Sequence, residues 1–270
     1  MKRIGYFVLL SLVLLSLSAC KSEEVYKVGA TPVPHAEILE FAKSLMEEKG
    51  YTYEVVTFTD YVLPNRALES GELIANFFQH IPYLEAQISD NNYDFVNVGG
   101  VHVEPIGLYS KDYGSLEELP SDLELIISSS PTDRPRLLGM LDENGLIEIS
   151  SGVTSEDIIA SSLQGLTSLF TSEYNIRFIE VDPALLFTNY NNASGDAVLI
   201  NGNYALDNGL NPLEDAIFLE GSASLYVNIL VTQSADENDP FIQALIEVLQ
   251  GEEVREFIID TYGGAVVPVN

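Results

Sequence analysis

The stretch "ANFFQHIPYLE", residues 75–85, sets Phe77, Phe78, His80 and Tyr83 close together in a chain with three histidines and no tryptophan. Aromatic faces suit a thioether or an apolar chain, each sulfur–ring contact adding ~0.3–1.5 kcal/mol. Tyr61 and His102 fall in segments of the same kind, between a strand and whatever follows it, and are expected to face the same cleft. Phe78, nearer the strand end, is read as a cleft residue and Phe77 as core, because successive strand residues face opposite ways. A zwitterion held against rings also needs a cation for its carboxylate. Arg136, opening the helix "RPRLLGMLDENG", is the best candidate, since a guanidinium grips a carboxylate by two parallel hydrogen bonds. By spacing alone it serves equally well as a surface ion-pair partner. Asn203 and Asn228 stand at strand ends and offer amides to orient a ligand, although asparagine in "NGNY" also suits a plain turn.

Other chemistries find little support. The chain has no glycine-rich phosphate loop, no HExxH, no GxSxG and no Cys-x-x-Cys, and nothing in it argues for an enzyme or a cofactor. His35, His80 and His102 with Glu104 are metal-ligand types, but the histidines lie in three separate segments, and no metal is expected. With one cysteine, neither an internal disulfide nor a thiolate metal centre is available. The formal charge is −29, from 41 acidic and 12 basic residues. Nucleic acid and anionic headgroups require clustered Lys and Arg, so no nucleic-acid partner is expected.

The first twenty residues, "MKRIGYFVLLSLVLLSLSAC", join a positive start to an apolar run shorter than the ~20 residues of a membrane span. They end in small residues suited to cleavage. Leu17-Ser18-Ala19-Cys20 resembles a bacterial lipobox. Residues 1–19 are expected to be a signal peptide, Cys20 the lipidated residue, and 20–25 a tether. The protein is then lipid-anchored at the cell membrane, facing the periplasm or the cell exterior.

Positioning falls to an alternating series. Strands are expected at "VYKVGA", "YTYEVVTF", "LIANFF", "LELIISSS", "IRFIEV" and "DAVLING", and two short strands separated by glycines within "DFVNVGGVHVEPIGLYS". "TPVPH" reads as a turn. Helices are expected at "AEILEFAKSLMEEKG", "PNRALESGE", from Pro82 onward, at "RPRLLGMLDENG", and at the two terminal segments "DPFIQALIEVLQ" and "EEVREFIIDTYGG". This rhythm indicates α/β architecture with mainly parallel pairing. The simplest arrangement is two lobes with a ligand cleft between them, one from 26–107 plus 229–270 and the other from 108–228.

Longer phrases carry a resemblance. "VGATPVPHAEIL", "FTDYVLPNRALESGELIANFFQHIPYLE", "VGGVHVEPIGLYS", "INGNYALDNGLNP" and "YGGAVVP" together resemble the NlpA-type lipoproteins, the methionine-binding lipoproteins of bacterial ABC importers. The resemblance implies a type II periplasmic-binding fold, α/β and two-lobed, with an interlobe ligand cleft. It also implies methionine or a similar small amino acid as ligand and a membrane permease as partner. Carried over, the aromatic box falls on Tyr61, Phe78, His80 and Tyr83, the carboxylate-binding arginine on Arg136, and the polar ligands on Asn203 and Asn228. The likeness weakens between about Leu123 and Asn192. There "PTDRPRLL" puts Asp133 where the family carries asparagine. That substitution bears on the ligand, and a short methionine-containing peptide or another amino acid is the alternative. Metal-binding or adhesion lipoproteins are the further ones.

Overall fold

The computed structural model describes residues 25–221 and 226–269. The expectations for the leader and for Cys20 lie outside them. Two mixed sheets organise the chain. The first contains β1 (Tyr26–Ala30), β2 (Tyr53–Thr57), β3 (Ala75–His80) and β4 (Phe95–Val103). The chain then crosses through Glu104-Pro105-Ile106 into the second sheet. This contains β5 (Gly107–Tyr109), β6 (Asp122–Ser128), β7 (Asn175–Val181), β8 (Ala197–Ile200) and β9 (Phe218–Leu219). It returns as β10 (Val227–Gln233) and ends in β11 (Val267–Pro268). The sheet orders are β11-β4-β10-β3-β1-β2 and β9-β5-β8-β6-β7.

Pairing is less parallel than the alternation implied. β1 runs parallel to β2 and β3, and β6 parallel to β7 and β8. β10, however, comes back from the other lobe and slots between β3 and β4, antiparallel to both. A returning strand enters from the opposite end, so it cannot match the direction of strands fed by crossover helices. The two glycines expected to separate short strands lie inside β4 instead. A Cβ on Gly99 would come within 2.8 Å of Ile246, and one on Gly100 within 2.6 Å of Val227, so the bare backbone admits its neighbours. "TPVPH" is wound, with Ala36 N–H donating to the Thr31 carbonyl at 2.9 Å. It leads directly into α1 (Glu37–Glu48).

Helix α1 buries Ile38, Leu39, Ala42 and Met46, a stripe at helical spacing. Its partly exposed Phe41 stacks on Phe257 at 4.3 Å. Phe77, Phe241, Leu245 and Ile258 complete that lobe's core, while Leu125, Ile127, Leu137, Leu141 and Leu199 fill the other. Each such fully buried side chain contributes roughly 1.5–3 kcal/mol. Helix α2 (Leu63–Glu69) is fastened to β3 by buried amides. Asn65 Nδ2 donates to Gln79 Oε1 at 3.0 Å, while Asn76 Nδ2 and Gln79 Nε2 donate to Asn65 Oδ1, each at 2.9 Å. Leaving one of these groups unpaired would cost about 1–3 kcal/mol, so the network fixes α2 and the Tyr61 loop before it.

Candidate functional site

Strand β3 ends at His80, whose extended backbone (φ −97°, ψ 164°) also caps helix α3 (Ile81–Asn91). Pro82 is the second residue of that helix, its missing N–H costing nothing in the first turn. His80 Nδ1 accepts from Tyr83 N–H at 3.1 Å, so that nitrogen carries no proton and Nε2 is the donor to Asp133 Oδ1 at 3.3 Å. The cap thus orients an imidazole across the gap between lobes. Tyr83 hydroxyl donates to the Tyr61 carbonyl at 2.9 Å, and Tyr61 hydroxyl to Asn203 Oδ1 at 2.6 Å. Ring centroids of Tyr61, Phe78 and Tyr83 lie 6.0–6.2 Å apart in tilted or edge-to-face geometry.

All seven residues proposed from sequence as ligand contacts line one cavity, whose empty space of about 420 Å³ includes the solvent at its mouth. Tyr61, Phe78, His80 and Tyr83 come from the first lobe together with Asn228, which pairs with His80 on the neighbouring strand, and Arg136 and Asn203 come from the second. Glu104, Asp133, Gln79, Ser130, Asn201 and Gly202 also line it. Asn228 reaches the wall because its register on β10 sets it between His80 and His102. Phe77 is wholly buried, its ring edge-on to His35 and His102. His102 differs from expectation. It is fully buried behind the wall and its Nε2 donates to Glu104 Oε1 at 2.6 Å. Its neighbour strands close over it, so it supports a cleft residue instead of being one.

The polar side is tightly built. Arg136, near the start of α4 (Arg134–Glu143), is buried. Its Nε donates to both oxygens of Glu220 at 2.8 and 2.7 Å, its Nη2 donates to the Glu104 carbonyl, and its guanidinium lies 4.8 Å over the Tyr226 ring. Glu220, which the sequence reading missed, thus balances the arginine. Glu104 accepts from His35 Nε2 at 3.0 Å as well as from His102. Thr31 hydroxyl lies 2.7 Å from His35 Nδ1, and His35 Nε2 3.1 Å from Asn228 Oδ1. Burial holds His35 down to about 4, with Glu104 opposing the shift, and holds His102 down to about 3. Burial raises the Glu104 carboxyl, against the pull of His35 and Arg136. Asp133 also suffers burial, but hydrogen bonds from His80 and Ser128 and the nearby Arg136 charge outweigh it and hold the carboxyl below its ordinary value.

His35, His102 and Glu104 are the described residues whose ligand atoms gather closely enough to hold a metal, all within 4.8 Å. Both imidazole Nε2 atoms already converge on the same Glu104 oxygen. An ion there would have to displace those hydrogen bonds from three buried side chains. His80, the third histidine, faces Asp133 instead.

Two α/β lobes enclosing a cavity with rings on one side and charged groups on the other define a solute-binding protein. The comparisons agree. The family model described as "NlpA lipoprotein" matches residues 26–270, and the chain belongs to that family. It is 42% identical over 245 residues to the methionine-binding lipoprotein MetQ of Bacillus subtilis, covering 90% of this chain and 87% of that protein. Among solved structures, a pheromone cOB1 precursor/lipoprotein of Enterococcus faecalis superposes with a TM-score of 0.85 at 47% identity, over 91% of this chain and 100% of that one. A nutrient-binding protein of Burkholderia cenocepacia, solved bound to methionine, gives 0.82 at 33% identity over the same shares. Among the described residues no helix is long and apolar enough to cross a membrane.

Proposed function

We propose that this protein captures methionine, or a closely related small amino acid, between its lobes and delivers it to the permease of an ABC importer. It is a binding protein, not an enzyme. Lobe 1 comprises 26–106 and 227–270 and lobe 2 comprises 107–226, the bounds expected from sequence (26–107 plus 229–270, and 108–228) shifted by one and two residues because Gly107 pairs in the second sheet and Val227 and Asn228 in the first. A lipid on Cys20 holds the whole at the outer face of the cell membrane. The observation that carries the reading is one cavity lined by Tyr61, Phe78, His80 and Tyr83 together with Arg136 and Asn228. This is the chemistry of a thioether joined to a zwitterion. The names of the relatives point the same way. A micromolar site needs about 8 kcal/mol. A buried side chain at ~1.5–3 kcal/mol, with several charge-assisted hydrogen bonds of similar size, supplies it after association costs.

The test is calorimetry on the full chain in detergent, refolded to strip carried-over ligand, with L- and D-methionine, norleucine, methionine dipeptides and Zn²⁺. Methionine binding that disappears in Arg136→Ala is the expected result. Response to Zn²⁺ alone, or to dipeptides alone, overturns it.

A further inference from the structure

The electrostatics of the cavity are lopsided. Its one guanidinium, Arg136, is spanned on Nε by Glu220, and Glu104 and Asp133 add two more carboxylates at the wall. No second Lys or Arg lines the cavity among the described residues. His80 contributes a donor, since its Nδ1 is occupied by the Tyr83 amide. Glu104 is already the acceptor for two imidazole N–H groups from behind. Asp133 is different. It is 2% exposed and comes from the opposite lobe to His80; Ser128 hydrogen-bonds it from its own lobe, while its contacts to His80 Nε2 and Asn201 Nδ2 are long, 3.3 and 3.4 Å. A buried carboxylate with slack contacts keeps acceptor capacity for a strong donor arriving in the cavity.

We infer that Asp133 is a specificity-determining residue that takes the ligand's ammonium group, so that the site selects for the cation of its ligand more strongly than for its carboxylate. This rests on the amino-acid-binding reading above and deepens it. An uncharged amide in place of the ligand carboxylate costs less than loss of the ammonium, because Glu220 already offsets much of the Arg136 charge. Loss of the ammonium is not tolerated, because Asp133 and Glu104 then meet no cation and repel the remaining carboxylate.

Calorimetry on the full chain with methionine, methioninamide and 4-(methylthio)butanoate tests this. In the wild type, methioninamide is expected to bind at least about tenfold more tightly than 4-(methylthio)butanoate. Asp133→Asn keeps size and hydrogen bonding while removing charge. It is expected to weaken methionine and methioninamide by about 10- to 100-fold and to leave 4-(methylthio)butanoate unchanged or tighter. A common factor of loss for all three ligands marks a purely structural role and overturns the inference. So does a wild type that prefers the desamino ligand, a result that needs no variant to fold. If methionine binds and only these ratios fail, the error lies with Asp133. If the wild type binds none of the three, the amino-acid reading itself falls.

Discussion

Arg136 shows how much a neighbour changes the meaning of a residue. A free guanidinium would dominate a small cavity, but Glu220 on the strand-end segment after β9 holds its Nε from 84 residues away in sequence. The pair is buried on both sides, and breaking a buried pair by removing one partner typically costs about 3–5 kcal/mol. Glu220→Gln is therefore expected to lower the thermal midpoint of the ligand-free protein while tightening methionine binding, because the guanidinium is released for the ligand carboxylate. Differential scanning calorimetry with and without methionine reads both. An unchanged midpoint would mean the pair contributes nothing. Phe78 is argued the same way. Its ring lies among Tyr61 and Tyr83, so Phe78→Ala is expected to cost about tenfold or more in affinity, measured by titration.

The elements matter through close approaches. Helix α5 (Gly202–Asp207) begins at Gly202, where a Cβ would stand 2.9 Å from Glu104 Cβ and 3.0 Å from the Pro105 carbonyl. The backbone of α5 thus presses on the crossing segment that carries Glu104, and the Asn203 N–H helps to stabilise that carboxylate. Gly202→Ala is expected to push Glu104 out of register. It should destabilise by about 1–3 kcal/mol, as overpacking does, and weaken ligand binding, checked by denaturant unfolding and titration. Legibility from sequence was greatest at this scale. The strands, the α1 stripe and the terminal helices follow from local periodicity. The glycines of β4 were misread because a glycine that admits Ile246 or Val227 looks, in sequence, like one that breaks a strand. The histidines were misassigned in part for a similar reason. His102 and His80 both follow β-rich segments, yet strand order buries the first and leaves the second at the cleft.

At the scale of the whole molecule, the lobes touch through contacts that a ligand can modulate. His80 to Asp133, Tyr61 to Asn203 and Tyr204 hydroxyl to the Thr59 carbonyl all join residues of opposite lobes. If methionine adds contacts to both walls, it favours the closed arrangement only by its differential affinity for that state. Small-angle scattering is expected to show a smaller radius of gyration with methionine than after ligand removal, and superimposable profiles would refute closure. Acid should loosen the molecule. Buried His35 and His102 are held from 6.5 down to about 4 and about 3, so across that window the unfolded chain takes up protons that the folded chain refuses. Stability then falls as pH falls from 6.5 toward 4. The raised Glu104 opposes the trend, and the lowered Asp133 adds to it below its ordinary carboxylate range. Thermal midpoints between pH 7 and pH 4 should drop less steeply in His102→Gln than in the wild type.

The amino-acid order alone determined that this chain would alternate strands and helices and bury apolar stripes at helical and strand periods. It also determined that aromatic and guanidinium groups would sit in the segments that follow strands, where an α/β fold opens its cleft. Those properties are local, set by neighbours a few residues apart. Only the tertiary structure decided that Glu220 would neutralise Arg136, that His35 and His102 would brace Glu104 from behind, and that Asp133 would face His80 across the lobes. The Glu104 and Glu220 pairings depend on the segments that cross between lobes, and the Asp133 pairing on how the two lobes face each other. Which distant charges meet is fixed by how whole sheets pack, and no periodicity records it.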